Sequence, residues 1–419
     1  MFHTILYILS TSSVLTCYTL SKLEYKHNPA VKLLQEYIRI DTQGLKNTDL
    51  VVEFWKRQAA ELNIHFSVYE PAGLPICVLT LKGRQPNLSS IMLNSHSDVV
   101  PVNDEEWTYS PFEGYIDNNG DMYGRGTQDT KGVTIQYIEA IRKILHSNVT
   151  LERTVHLTIM PDEEIGGFKG MVPFIETEEF KSLNVGFVLD EGLTSSSNVM
   201  YATYWDKRPW QVEFNIRGGG GHGATISDGS AAERLQTLIN LAMEYRHQQL
   251  NIARANDPLD YGCYTTTNIN IVKGGIAANV IPTEISVVLD MRLSTSTNVD
   301  DFQSMLDSWL ASLGPNSTIQ YIRRMEHSAA TAVDDSNPYW IAMSDTLKDL
   351  NITLTPVVCP ATSDMVSVRR KGIPAIGFST RTNMISKLHD VDEYISLDVF
   401  LKGIDVYVAL IKRLANLSE

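Results

Sequence analysis

Apolar residues recur at helical spacing from Val31 to Ile40 and again from Leu50 to Leu62. The period then shortens. ICVLTLKG, SSIMLNSHSDVVP, TVHLTIMPDEE and NVGFVLDEG each read as a short strand, and the last three run out into histidine or acids. Strands alternating with helices predict a parallel or mixed sheet, and open α/β sheets collect their functional groups beyond the carboxyl ends of the strands.

From about Tyr201 the rhythm changes. The pattern predicts a strand at Trp210 to Ile216, a helix at Ala231 to Gln249, strands at Thr265 to Val272 and Glu284 to Leu293, a helix at Asp300 to Leu313 and a strand at Thr318 to Ile322. That order, βαββαβ, predicts an inserted ferredoxin-like domain. Past about Met325 the first pattern resumes, with a helix near Tyr339 to Leu350, the strand-like GIPAIGFS and a closing helix from Leu397 to Leu414. The expected architecture is α/β: a doubly wound, discontinuous domain over residues 20–200 and 323–419, interrupted by the smaller domain over 201–322.

Composition narrows the chemistry. A formal charge of -14 and a pI near 5.2 leave no basic surface to neutralise phosphates, so nucleic acid and membranes are excluded as expected partners in favour of a small molecule or peptide. Cys17, Cys77, Cys263 and Cys359 lack CxxC spacing, so a bound metal must be held by histidine and carboxylates. An apolar stretch from Ile5 to about Cys17 resembles a signal-peptide core without a basic start, which leaves a secreted protein with a leader over residues 1–19 and a cytoplasmic one both open. It is too short and too polar to span a membrane. Sequons at Asn87, Asn148, Asn316, Asn351 and Asn416 matter only in the secretory case.

Candidate chemistry gathers where the strands end. In Ser95-His96-Ser97-Asp98 the period of two aims His96 and Asp98 to one side, so that one can ligate a metal while the other orients it. Asp129 follows the glycine-rich YGRGTQ and offers two oxygens, although an aspartate before a helix is more commonly its cap. In Pro161-Asp162-Glu163-Glu164 one glutamate can bind metal while its neighbour works as a base. Glu191 after the next strand and His389 near the C-terminus complete a set of two imidazoles and three carboxylates. Without thiolates, such a set describes a zinc-type hydrolytic centre better than a calcium site.

Read in order, LNSHSDVVPV, EEWTYSPFEGYIDNNGDMYGRGTQDTKG, PDEEIGG, VLDEG, GGIAANVIPTEISVVLDMRL, DDSNP and GIPAIGFS resemble the dizinc M20 metallopeptidase family. From about Asn28 onward the chain is similar to its aminoacylase-1 branch, which hydrolyses N-acyl amino acids. The resemblance implies a zinc-exopeptidase-like catalytic domain with an inserted lid and dimerisation domain, a cytoplasmic homodimer and two zinc ions per subunit. It implies His96, Asp129 and Glu191 around one zinc, with Asp129, Glu164 and His389 around the other. Asp98 would orient His96 and Glu163 would be the general base. His222 would polarise the scissile carbonyl, often from the partner subunit, while Asn279 and Arg292 would hold the substrate.

Two places depart from the branch. Val366, in Ala361-Thr362-Ser363-Asp364-Met365-Val366, occupies an arginine's place, and an isopropyl group cannot replace a guanidinium that clamps a carboxylate. Arg369, Arg370 and Arg381 are the nearby arginines that could compensate. The loop GHGATISDG after the lid histidine also differs. A dipeptidase or carboxypeptidase with the same metals, and a non-catalytic paralogue, therefore stand as alternatives to the aminoacylase.

Overall fold

A computed structural model describes residues 25–147, 149–226 and 228–418; the leader over 1–19, Cys17 and the sequon at Asn148 lie outside the described residues. The chain divides into two compact units. One comprises the chain up to Tyr204 with Thr331–Pro356 and the segment from Ser363 onward, and the other comprises Trp205–Ala330 with Val357–Thr362. No described helix is long and apolar enough to cross a membrane.

The larger unit is built on a mixed sheet in the order His65–Tyr69, Ile76–Leu81, Val155–Met160, Ser90–His96, Val185–Asp190, Ala375–Phe378, Val199–Asp206, Thr353–Cys359. Its centre is parallel: Ser90–His96 pairs in parallel with Val155–Met160 on one side and Val185–Asp190 on the other. Along these strands successive residues enter different cores. Ile91, Leu93, Leu157 and Leu189 join the cluster under helices Pro29–Ile38, Lys131–His146 and Leu397–Leu414, whereas Met92, Met160 and Val188 join the one beneath Met171, Phe174 and Met365. Both faces are thus covered, which is why the central strands read as continuous apolar runs.

Several elements escape the periodicity. Thr353–Cys359 contains Pro356, which reads against a strand, and it lies at the sheet edge, where a residue without an N–H is tolerated. His65–Tyr69 occupies the opposite edge and carries only a mixed pattern. In the smaller unit the helix runs Ala231–Ala255, farther than Gln249, starting at a capping box in which the side chains of Ser230 and Glu233 satisfy each other's main chain. Its four strands, Thr266–Gly274, Glu284–Leu293, Arg208–Arg217 and Thr318–Arg324, pair antiparallel in that order and give the expected ferredoxin-like βαββαβ arrangement.

Candidate metal centre

Three adjacent parallel strands deliver the candidate residues to one place. Ser90–His96 ends on His96, Val155–Met160 leads into the one-turn helix Glu163–Ile165, and Val185–Asp190 is followed directly by Glu191. His96 Nε2 lies 3.1 Å from Asp129 Oδ1 and 3.5 Å from Glu191 Oε2. His389 Nε2 lies 3.2 Å from Asp129 Oδ2 and 3.0 Å from Glu164 Oε2. The two oxygens of Asp129 therefore face two different imidazoles. Asp129 does not cap the following helix; Thr130 holds the cap position. Glu163 belongs to the same cluster, with a carboxylate oxygen within 4.8 Å of donor atoms of His96 and Glu191.

These spacings come within about 0.3 Å of those a bound metal imposes. Four-coordinate zinc with nitrogen and oxygen ligands at about 2.0–2.2 Å separates neighbouring donor atoms by about 3.3–3.5 Å. Glu164 Oε1 is buried without a hydrogen-bond partner among the described residues, an acceptor in need of a cation or donor. The electrostatics agree. Burial, with the carboxylate of Asp129 next, pushes the Glu164 carboxyl up to about 7. Burial and the charge of Glu191 hold Glu163 well above the usual carboxyl range. Hydrogen bonds to Asp129 and Glu164 raise His389 to about 10. Acids crowded and desolvated to this degree are what a divalent cation neutralises.

Asp98 stands beside His96, as expected, and serves a second group as well. His96 Nδ1 meets the main-chain carbonyl of Asp98 at 2.9 Å and its carboxylate only at 3.4 Å. The carboxylate also accepts the N–H groups of Glu163 and Glu164, each at 3.1 Å, and so shapes the turn that presents both glutamates.

The smaller unit holds the remaining candidates in two places, one at a separate two-stranded ladder and one on the four-stranded sheet. His222 pairs with Val280 in a two-residue ladder, and Gly223 N–H donates to the Asn279 carbonyl at 2.8 Å, so His222 and Asn279 are neighbours. Arg292 lies eight positions along the strand from Glu284, about 26 Å at strand rise. Its guanidinium grips Asp290 through Nε at 2.7 Å and one terminal nitrogen at 3.1 Å. Val366 is buried on the short helix Met365–Arg370. Arg369 donates to the carbonyls of Thr203 and Ala375, Arg381 to those of Gln128 and Gly192, and Arg370 is exposed, so two of the three arginines are already engaged with main chain.

Sequence reasoning missed the supports. Glu393 is fully buried, accepts the N–H groups of Gly126, Gln128 and Asp129, and pairs with Arg125 at 2.9 Å, which fixes the loop that carries Asp129. Asn94 donates to Asp190 at 3.0 Å and to Asp364 at 3.4 Å beneath the site. No local signal marks them; a buried carboxylate looks in sequence like a solvated one.

The sequence profile of peptidase family M20/M25/M40 matches residues 92–413. Aminoacylase-1 of Homo sapiens is 38% identical over 94% of this chain and 98% of its own length. Aminoacylase-1 of Dictyostelium discoideum is 35% identical over 94% of this chain and 99% of its own. Among solved structures, an M20 family metallo-carboxypeptidase from Sulfolobus solfataricus superposes with a TM-score of 0.77 at 19% identity, covering 93% of this chain and 99% of that one.

Proposed function

The chain belongs to peptidase family M20/M25/M40, and from that membership and the geometry above we propose a zinc-dependent aminoacylase that cleaves the amide bond of N-acyl-L-amino acids. The observation that carries the reading is Asp129 set between His96 and His389 at 3.1 and 3.2 Å, in a chain this similar to aminoacylase-1. His96, Asp129 and Glu191 would hold one zinc ion, and Asp129, Glu164 and His389 a second. When bound, the metals supply Lewis acidity that acidifies a water and polarises the scissile carbonyl.

Glu163 is the base in this reading. Its half-buried carboxylate takes one proton from the attacking water and returns it to the amide nitrogen, so the C–N bond breaks to an acid and an amine, and the acid's remaining proton passes to the amine to leave a carboxylate and a free amino acid. In the lid, His222 Nδ1 accepts the Ala224 N–H at 3.1 Å, so a neutral ring carries its proton on Nε2 and can donate it to the carbonyl oxygen. Asn279 and Arg292 hold the substrate, and Arg292 must share or leave its pair with Asp290 to grip a carboxylate.

We place the residues around the metals in a catalytic domain and the ferredoxin-like unit in a lid and dimerisation domain of a homodimer. Strand Thr266–Gly274 ends the lid sheet and exposes Ile271 and Val272, which suits pairing with a second copy. Sedimentation should show a dimer; a fully active monomer would sink this part.

A substrate panel on the zinc-loaded protein tests the activity. N-acetyl-L-amino acids should be cleaved with kcat/KM about tenfold or more above dipeptides. Faster dipeptide cleavage, or no hydrolysis with zinc bound, would reject the aminoacylase reading.

A further inference from the structure

Asp129 and Glu191 must bring two negative charges to one imidazole, with Oδ1 and Oε2 at 3.1 and 3.5 Å from His96 Nε2. In the absence of a cation they repel each other, so something else must hold their loops together. On the Asp129 side, the main-chain N–H of Asp129 is anchored to the buried Glu393 carboxylate. The loop after Glu191 begins with Gly192, where a Cβ would fall 2.6 to 2.7 Å from the main chain of Phe378, so this position has no room for an anchoring side chain.

We infer that Arg381 is a positioning residue for the metal centre, clamping the loop of Asp129 to the loop of Glu191. Its guanidinium is 1% exposed and spends its fork on three acceptors: the carbonyl of Gln128, which precedes Asp129, the carbonyl of Gly192, which follows Glu191, and Thr194 Oγ1 at 2.9 Å. Its own carbonyl accepts the Ser195 N–H at 2.9 Å, which ties the same loop a second time. Gln128 extends the clamp: its side chain donates to the Ile385 carbonyl at 3.1 Å and accepts the Lys387 N–H at 3.1 Å, in the segment that leads to His389. A planar guanidinium satisfies three acceptors in fixed directions, whereas an ammonium meets them as a point charge. Being buried, Arg381 does not touch substrate.

Two effects of Arg381 on a bound cation have opposite signs. As a fixed positive charge it repels a divalent ion, and as a clamp it presents the ligands ready for one. The sign of a substitution therefore decides between them. The inference rests on the zinc reading proposed above.

The test is zinc affinity and stoichiometry, by chelator competition on the full chain, for wild type, Arg381→Ala, Arg381→Lys and Thr194→Val, with kcat and KM on an N-acetyl-L-amino acid. Arg381→Ala should bind zinc about 10–100-fold more weakly, as loss of an outer-shell partner does, and lose kcat with little change in KM. Arg381→Lys should recover part of the affinity, and Thr194→Val should weaken it in the same direction by less. A folded Arg381→Ala protein with equal or tighter zinc binding would overturn the clamp. If Arg381→Ala does not fold, unchanged affinity in both Arg381→Lys and Thr194→Val overturns it instead. A wild type that takes up no zinc would overturn the metal reading and the clamp together, whereas a zinc-loaded wild type matched by its variants overturns the clamp alone.

Discussion

Replacing Asp98 by asparagine separates two ways in which this residue could serve the site. The carboxylate accepts Glu163 N–H on one oxygen and Glu164 N–H on the other, both at 3.1 Å, and the residue is 3% exposed. An amide keeps one acceptor and turns an NH2 toward the second N–H. One buried N–H then goes unsatisfied, at about 1–3 kcal/mol, and the surviving bond loses its charge assistance, roughly 1 kcal/mol more. The metal-free protein should therefore lose about 2–4 kcal/mol in urea unfolding. His96 should be affected less, because its Nδ1 rests at 2.9 Å on the main-chain carbonyl of residue 98, which the substitution leaves in place, and meets the carboxylate at the longer distance of 3.4 Å. The damage should fall on Glu163 and Glu164. Chelator titration should show the zinc held with Glu164 and His389 weakened about 10–100-fold while the zinc at His96 and Glu191 is kept, as judged against His96→Ala and His389→Ala proteins. The rate of amine release should fall by a similar factor. If the zinc at His96 is lost first, Asp98 works by orienting the imidazole; if both zincs and kcat are unchanged, its bonds to the glutamate turn carry no function.

Glu163→Gln should keep its zinc and lose about 10²–10⁴ in kcat, and a normal rate would remove Glu163 from the chemistry. At Gly403, on the helix that packs against Lys131–His146, a Cβ would lie 2.1 Å from both Gln136 Nε2 and Thr380 Oγ1, atoms that hydrogen-bond each other at 3.0 Å. Gly403→Ala should cost about 1–3 kcal/mol in urea unfolding, and wild-type stability would show that this pair can move aside. His156 is buried, and burial pushes its ring down to about 4, with Nε2 donating to the Leu183 carbonyl. The unfolded chain takes up this proton below its ordinary value near 6.5 and the folded one does not until about 4, so stability is full above that window and falls as pH drops through it. About 2 kcal/mol should disappear between pH 7 and pH 5, a slope that His156→Gln should flatten; an unchanged slope would assign the acid sensitivity to other groups.

The candidate centre was legible because its chemistry is written locally. His96 ends an apolar strand, Glu163, Glu164 and Glu191 stand just past others, and a parallel sheet necessarily brings such ends to one edge. The order βαββαβ was legible for the same reason, since period and turn residues are short-range properties. Elements whose placement depends on neighbours were not: the edge strand with Pro356 shows its role only through its position in the sheet.

Taken alone, the sequence determined which residue types reach the carboxyl ends of the strands, and so that a cluster of histidine and carboxylates able to hold a metal gathers there. Tertiary structure decided how that centre is held. Arg381 reaches Gln128 across 253 positions and Glu393 reaches Asp129 across 264, and the carboxylate of Asp98 joins His96 to a glutamate pair 65 and 66 positions away. Such contacts leave no periodic trace, because a buried polar group is defined by the partner that satisfies it, and that partner is chosen only when distant segments pack.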